Sequence, residues 1–390
     1  SKMITFQGDG IKEGLNMLSK ADKIIGHNVI GFDLPALAKL YNFHPPLAKV
    51  QDSLVMSRCL HPDLREDDFK RKDFDPAMVG SHSLKSWGHR MGKMLKLTYG
   101  ENEDAFDHYN EEMKKYCERD VLVTKTLYEY LAKLEPSKKM LAVEHWFAYI
   151  IRLQESQGFA FDVDKAEQLE QKLNAVRAKL QDKLQVMFEP TVEKMKKAQG
   201  WTLEIKHDNF IESINAPTKA KLKEELKNRG LKQTLVKDAV SLGAQEKIIP
   251  FNPGSRKQIK ERLEALGFEI PLSNDGKTVK IDESTLKGIN HPSAKLLLEY
   301  LLVVKRLGQL AEGKNGWLRL VKDGRIHGRV NTNGAVTGRC THSLPNLAQV
   351  PATRAEYGEE CRSLFTTKKG YKLVGCDASG LELRMLAHYL

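Results

Sequence analysis

Near the C-terminal end, the run D-A-S-G-L-E-L-R from Asp377 to Arg384 sets two acids and an arginine around a short turn. The stretch before it, "YKLV" from Tyr371 to Val374, is apolar on alternate positions and bounded by Gly370 and Gly375, which predicts a strand with Asp377 at its tip. Beyond it, Leu381, Met385, Leu386, Tyr389 and Leu390 recur at helical spacing. A carboxylate between a strand end and a helix start is well placed to hold a divalent cation. Its plainer use is a turn aspartate, and that of Glu382 a first-turn helix acid.

Two further groups carry chemistry near the N-terminal end. In "IIGHNVIGFDLPALAKL" a short apolar run leads to His27 and Asn28, and Asp33 then stands before Leu34 and Pro35. Alone, Asp33 reads as an N-cap, with Pro35 in the first helical turn. In "YCERDVLVT", Tyr116 and Asp120 are four apart and share one face of a helix. Together, N-x-x-x-x-D after a strand and Y-x-x-x-D on a later helix resemble the second and third motifs of the DEDD-type 3′-to-5′ exonucleases of the tyrosine-bearing kind. The resemblance implies metal ligands at Asp33 and Asp120, a water-orienting Tyr116, and Asn28 on the substrate side. The first motif of that family, a D-x-E, has no counterpart upstream of Asn28, where Asp9 and Glu13 are four apart. Cleavage by this domain alone is therefore expected to be poor or absent.

From Arg325 to Pro351 the sequence "RIHGRVNTNGAVTGRCTHSLPNLAQVP" combines glycines with Arg325, Arg329, Arg339, Asn331, Asn333, Asn346 and Gln349. Such a donor-rich, acid-poor loop suits a phosphate backbone and base edges. T-G-R at Thr337 to Arg339, P-N-L-x-Q-x-P at Pro345 to Pro351, and D-x-S-x-x-E-L-R at Asp377 to Arg384 together resemble the family A DNA polymerases, of the T-seven bacteriophage type. The resemblance implies Mg²⁺ held by Asp377 and the carbonyl of Ala378, with two-metal sites, and Glu382 against the nucleotide sugar. It also implies primer and template contacts from Arg339, Asn346 and Gln349, with Arg362 close to the active site. Primer-template DNA and dNTPs are the implied partners. The second palm carboxylate and the lysine-bearing fingers helix of the family lie beyond D-x-S-x-x-E-L-R, its motif A, so the chain reads as the front part of a polymerase, itself shortened at its own front. A second chain carrying the rest of the palm and the fingers would complete it. Two rival readings are a stand-alone DEDD 3′-to-5′ exonuclease and a DNA-binding subunit of a split polymerase.

The elements that must position these groups divide by pattern. Residues 1–136 alternate β-like runs, "KIIGHN" and "KVQDSLVM", with helical segments, an α/β pattern. The resemblance makes this an RNase H-like exonuclease domain lacking its first motif. Pro136 lies in a linker-like stretch, and from Met140 the chain turns helical, with Asp162 or Asp164 opening one long helix. Residues 137–325 are expected to form a helical thumb, and 326–390 the start of an α+β palm. Lys305 and Arg306, near the end of a long thumb helix, are expected to bind the duplex. A lysine-rich stretch at about 189–249 reads as an inserted subdomain. In the T-seven type the corresponding insertion recruits thioredoxin as a processivity factor, whereas here a basic surface touching DNA non-specifically explains it equally well.

Composition agrees with these readings. Among 390 residues, 62 Lys and Arg against 51 Asp and Glu give a net charge of +11, which attracts polyanions. No apolar run approaches the ~18 residues of a membrane span, so a soluble, cytoplasmic protein with no membrane partner is expected, in the host cell if phage-encoded. The five cysteines show neither paired nor zinc-binding spacing, which predicts reduced thiols.

Overall fold

Helix α1 (Ile11–Lys20) precedes a three-residue strand, β1 (Ile24–Gly26), and helix α2 (Asp33–Tyr41) follows it. Strand β2 (Val50–Asp52) runs parallel to β1, with Ile24 opposite Val50 and Gly26 opposite Asp52. The "SLVM" run expected to continue that strand is helical instead, as part of α3 (Ser53–Leu60). The cause is Asp52, whose carboxylate accepts the Leu54 N–H at 2.9 Å and so ends the strand by capping the helix. Helices α4 (Leu64–Phe69), α5 (Leu84–Arg90), α6 (Glu111–Ala132) and α7 (Lys138–Gln157) follow. Ser83, Asn110 and Ser137 cap the last three through the N–H groups of Ser86, Met113 and Met140. This computed structural model describes residues 2–72, 74–92, 108–273 and 276–390.

The apolar periodicity of α6 buries Val123, Leu127 and Leu131 against Met56, Leu64, Leu84, Trp87 and Leu141. Each such side chain, fully buried, contributes about 1.5–3 kcal/mol. Leu141 belongs to α7, so the first helix after the proline-containing linker packs onto the residues that precede it. Val29, Ile30 and Val50 form a second core, against which Ala148 packs.

Strand β3 (Phe159–Phe161) leads into α8 (Val163–Met187), and Asp162 caps that helix by accepting the Lys165 N–H at 3.1 Å. Strands β4 (Thr191–Ala198), β5 (Trp201–Lys206) and β6 (Ile211–Ala216), helix α9 (Lys219–Asn228), and strands β7 (Val240–Ser241) and β8 (Ala244–Ile249) make up the insertion. Strand β4 pairs antiparallel with β8, and the others form a sheet of order β6-β5-β7. Leu203 and Ile214 of that sheet pack with Leu222 and Leu226 of α9, so the lysines of "KLKEELKNRG" lie around a small core of their own. The sequence set this stretch apart as an inserted subdomain of a mainly helical thumb without assigning its elements, and its regular structure is more strand than helix. Helices α10 (Arg256–Ala265), α11 (Glu283–Lys287) and α12 (Pro292–Leu307) complete this part.

The chain then returns through α13 (Trp317–Leu320), β9 (Val321–Lys322), β10 (Arg325–Ile326), β11 (Arg329–Asn331), β12 (Thr341–Ser343), α14 (Gly358–Ser363), β13 (Phe365–Thr366) and α15 (Leu381–Tyr389). One sheet has the order β13-β3-β10-β9, with Phe161, Trp317 and Phe365 in mutual edge contact beneath it. By contacts the chain divides into Ser1–Ala166 with Lys314–Leu390, and Glu167–Gly313. The sequence, reading by motif, sets its boundaries at 136 and 325. Among the described residues no helix is long and apolar enough to cross a membrane.

Tyr371 to Ala378 takes no regular structure, which corrects the strand expected at "YKLV". A strand needs a neighbour for its backbone groups, and among the described residues none pairs with this one. Helix α15 forms where the periodicity placed it, with no buried side chain.

Candidate functional site

The turn after β1 is held from β2. The Asp52 carboxylate accepts the N–H of Asn28 at 2.8 Å and of Ile30 at 3.0 Å, as well as that of Leu54. Asn28 consequently sits in the left-handed region, with φ 61°. A Cβ on Gly31 would stand 2.4 Å from Asn28 Oδ1, so only glycine lets that side chain fold across the turn. Asp52 is buried, and its own N–H donates to His145 Nε2 at 2.8 Å. With Nε2 accepting, the His145 proton belongs on Nδ1, which donates to the Leu141 carbonyl at 2.6 Å. Burial pushes the Asp52 carboxyl up, against the N–H groups of Ile30, Leu54 and Asn28 and against His145. Nothing in the sequence patterns singled out Asp52 or His145.

Asp33 is the first residue of α2, and Phe32 at the capping position makes no side-chain cap bond, which corrects the N-cap expectation for Asp33. The Asp33 carboxyl is raised from the ordinary carboxylate range by lost solvation, opposed by its own backbone N–H, with Asp52 adding a like-charge contribution. It lines a cleft of about 1960 Å³ whose other lining residues include Asn28, Tyr116 and Asp120. The four residues expected to act together, from two stretches of sequence, all line this one large cavity. Tyr116 and Asp120 are half-buried on α6.

Other lining residues were not expected here: Arg58 and His82 escaped the sequence reading, while Asn331 and Asn333, read as donors of the Arg325–Pro351 loop, line this cleft together with Gly334 to Val336. Trp87 Nε1 donates to Ser57 Oγ at 2.8 Å, which directs the Ser57 hydroxyl proton to His82 Nδ1, 2.6 Å away. Burial, with the charges of Arg58 and Arg90 and the neighbouring His61 and His27, holds the His82 pKa down at about 4. This imidazole is neutral at physiological pH. Arg58 and His82 gave no signal because each lies outside a motif and reaches the cleft only through the fold.

Asp33 and Asp120 present hard oxygen donors to the cleft, which suits Mg²⁺ bound through one or two carboxylates and several waters. Among the described residues no three His, Cys, Asp or Glu side chains converge to hold a metal.

The remaining predicted residues lie apart from the cleft lining. Asp377, Ala378 and Glu382 are exposed, and Arg339 Nη2 meets Glu382 Oε1 at 3.0 Å. Asn346 is half-buried, and its Oδ1 has no hydrogen-bond partner among the described residues. Gln349 is exposed, and Arg362 Nε donates to the Pro351 carbonyl at 2.8 Å. Lys305 is exposed at the end of α12, whereas Arg306 is 7% exposed and donates to Gln309 Oε1 at 3.0 Å. This corrects the expectation that both present charge to a duplex: residue 306 falls on the helix face that buries Val303 and Leu307.

Cys59 lies beside this region, its thiol pushed up to about 12 by burial and by the Glu144 charge, against the pull of Arg58. At pH 8 a maleimide is expected to modify the exposed Cys117 and Cys376 at least about 100-fold faster than Cys59, because the thiolate is the nucleophile. Peptide mass mapping over a labelling time course measures the difference, and comparable rates at all three would contradict the environment described for Cys59.

Comparison with known proteins completes the picture. The family model for DNA polymerase family A matches residues 217–390. The DNA-directed DNA polymerase of Escherichia phage T7 is 32% identical to 96% of this chain, and that of Enterobacteria phage T3 is 32% identical to 94% of it. In both cases the chain spans 62% of the relative's length. The thermostable DNA polymerase I of Thermus aquaticus is 34% identical over 146 residues, 36% of this chain and 17% of that protein. Family A polymerases generally use divalent metal ions. With this similarity running through both the cleft motifs and D-A-S-G-L-E-L-R, the chain belongs to DNA polymerase family A, among relatives of the T7 type.

Proposed function

We propose that this chain is part of a phage-type, DNA-directed DNA polymerase that joins a 3′-to-5′ exonuclease-like domain to a thumb and the beginning of a palm, acting in the host cytoplasm. The observation that carries the reading is the cleft: Asn28, Asp33, Tyr116 and Asp120, in the order of the exonuclease motifs, line one cavity in a chain that also bears T-G-R and D-x-S-x-x-E-L-R.

In the polymerase reaction the primer 3′-hydroxyl attacks the α-phosphate of the incoming nucleotide and pyrophosphate leaves. Asp377 and the Ala378 carbonyl would hold Mg²⁺, which when bound offsets the negative charge that gathers on the reacting oxygens. Glu382 borders the nucleotide sugar. Arg339, Asn346, Gln349, Arg362 and Lys305 hold the primer and template, and the net charge of +11 favours such a partner. In the cleft, Asp33 and Asp120 would hold the metal and Tyr116 would orient water, with Asn28 on the strand side.

Leu373, Val374, Leu383, Met385 and Tyr389 are all at least half exposed, which favours further polypeptide packing over motif A, in the same chain or a second one. The insertion has a core of its own and leaves Phe210, Ile211, Val240, Leu242 and Ile248 exposed, apolar side chains available to a processivity partner of the thioredoxin kind. Primer extension by the full-length protein with dNTPs and Mg²⁺ tests the reading. Template-directed incorporation is expected, and its absence under conditions that support primer-template binding would refute the polymerase assignment.

A further inference from the structure

One wall of the cleft comes from a loop that no exonuclease motif accounts for. Asn331 and Asn333 to Val336 line the same cavity as Asp33 and Asp120, although about 300 and about 200 residues, respectively, separate them in sequence. The loop leaves β11 and closes on itself through Ala335 N–H to Arg339 O at 3.0 Å and Gly338 N–H to Ala335 O at 2.9 Å. Asn333 occupies the left-handed region, with φ 49°, which asparagine tolerates better than most residues. A Cβ on Gly334 would meet Thr341 Oγ1 at 2.2 Å, so the bend has no room for a side chain.

The loop is tied to α7 and to α3, the latter lining the cleft through Leu54 and Arg58. Asn333 Nδ2 donates to Glu144 Oε2 on α7 at 2.6 Å and to Cys59 Sγ on α3 at 3.6 Å. The first bond ends on a carboxylate, which makes it about twice as strong as a neutral pair. Arg58 reaches Asn331 Oδ1 at 3.5 Å, an exposed contact at the limit of hydrogen-bond length that adds little. Val336 is 60% exposed and Phe32 69% exposed, so the cavity lining carries apolar surface on which unpaired bases can rest.

We propose that the loop Asn331–Val336 contacts a single strand lying in the cleft, and that the bond from Asn333 to Glu144 holds the loop at that position. Asn333 is then a positioning residue and Val336 a contact residue. The inference rests on the reading of the cleft as a strand-binding site. Its consequence reaches further along the chain, because the same loop ends at Arg339, beside Glu382 of motif A. A strand seated in the cleft therefore biases where Arg339 stands.

The test is fluorescence anisotropy with a dye-labelled oligothymidylate, on the full protein in EDTA so that the strand stays intact. Asn333→Gly keeps the left-handed backbone but removes the amide, and is expected to weaken binding about fivefold to tenfold, the loss of one charge-assisted bond. Val336→Ser, at an exposed position, is expected to weaken it about threefold. Asn333→Asp places a second carboxylate against Glu144 and should bind poorly. Adding Glu144→Gln restores a donor facing an acceptor, and the double variant should recover most of the affinity. Recovery separates positioning from general damage to the fold.

Phe32→Ala reports on the cleft independently of the loop. If Phe32→Ala weakens binding while Asn333→Gly and Val336→Ser bind as wild type, the loop is no part of the strand's path and the inference is overturned. Should Phe32→Ala also bind as wild type, the cleft reading falls and the loop proposal falls with it.

Discussion

Asp377→Asn, introduced into the full-length protein, is expected to lower nucleotide incorporation about a thousandfold, the scale of losing a carboxylate that holds a catalytic cation. The argument depends on how little else that side chain does. Asp377 is exposed on a segment without regular structure, and it enters no ion pair among the described residues. Removing its charge therefore leaves folding intact, and the thermal midpoint should stay within about 1 °C of wild type. Primer-template affinity measured without nucleotide should change by less than about threefold, since one carboxylate among many basic contacts adds little to duplex binding. A rapid-quench assay of single-nucleotide addition reads the first quantity, and anisotropy with a labelled duplex the second. Incorporation within tenfold of wild type would remove Asp377 from the site.

Whatever depends on neighbouring residues was legible in the sequence. Tyr116 and Asp120 needed only helical spacing, and α6 is helical through both. Helix α15 and the cap at Asp162 were legible for the same reason. What needed a partner far along the chain was hidden. Asp52 and His145 are 93 positions apart, and neither looks special until β2 meets α7. The alternation in "YKLV" is real, yet a strand requires a second strand, and the chain supplies none there among the described residues.

Composition hid the strands of the insertion. Its lysines masked a period of two in which Leu203 and Ile214 turn inward across paired strands. Arg306 was misread for a different reason. A basic residue in a last helical turn suggested the surface, whereas counting from Val303 and Leu307 would have set it on the buried face. As for the cleft, its motif residues were legible, but the wall contributed by Asn331 to Val336 was not, because loop closure across the chain leaves no mark on either segment.

Asp68→Asn is expected to destabilise the protein by about 3–5 kcal/mol, the usual consequence of removing one partner of a buried ion pair. Asp68 and Arg90 have side chains 0% and 2% exposed. Arg90 donates from Nε to Asp68 Oδ1 at 2.9 Å and from Nη2 to Oδ2 at 2.7 Å, and from Nη1 to the Ser81 carbonyl at 2.7 Å. Gly80 N–H gives the carboxylate a further bond at 2.9 Å, and the guanidinium lies 5.0 Å from the Trp87 ring centre. Burial by itself would raise the Asp68 carboxyl, but the Arg90 hydrogen bonds, the Gly80 N–H and the charges of Arg90 and Arg71 outweigh it and hold the group below its ordinary range. A carboxyl lowered on folding contributes stability that is fully present above its unfolded pKa of about 3.9 and is lost as pH falls through the folded value. The gap between wild type and Asp68→Asn should therefore be flat above about pH 5 and close below about pH 4, as read from urea unfolding midpoints across that range. Replacing both partners, as Asp68→Leu with Arg90→Met, should recover most of the loss, because no buried charge is left alone. Gly80 and Ser81, which this pair holds, line the cleft beside His82. For that reason Asp68→Asn should weaken oligothymidylate binding at temperatures where the protein is still folded, and the double replacement, which also lacks the bonds to Gly80 and Ser81, should not restore it. Full recovery of strand affinity by the double replacement would mean that the pair stabilises the fold without shaping the cleft.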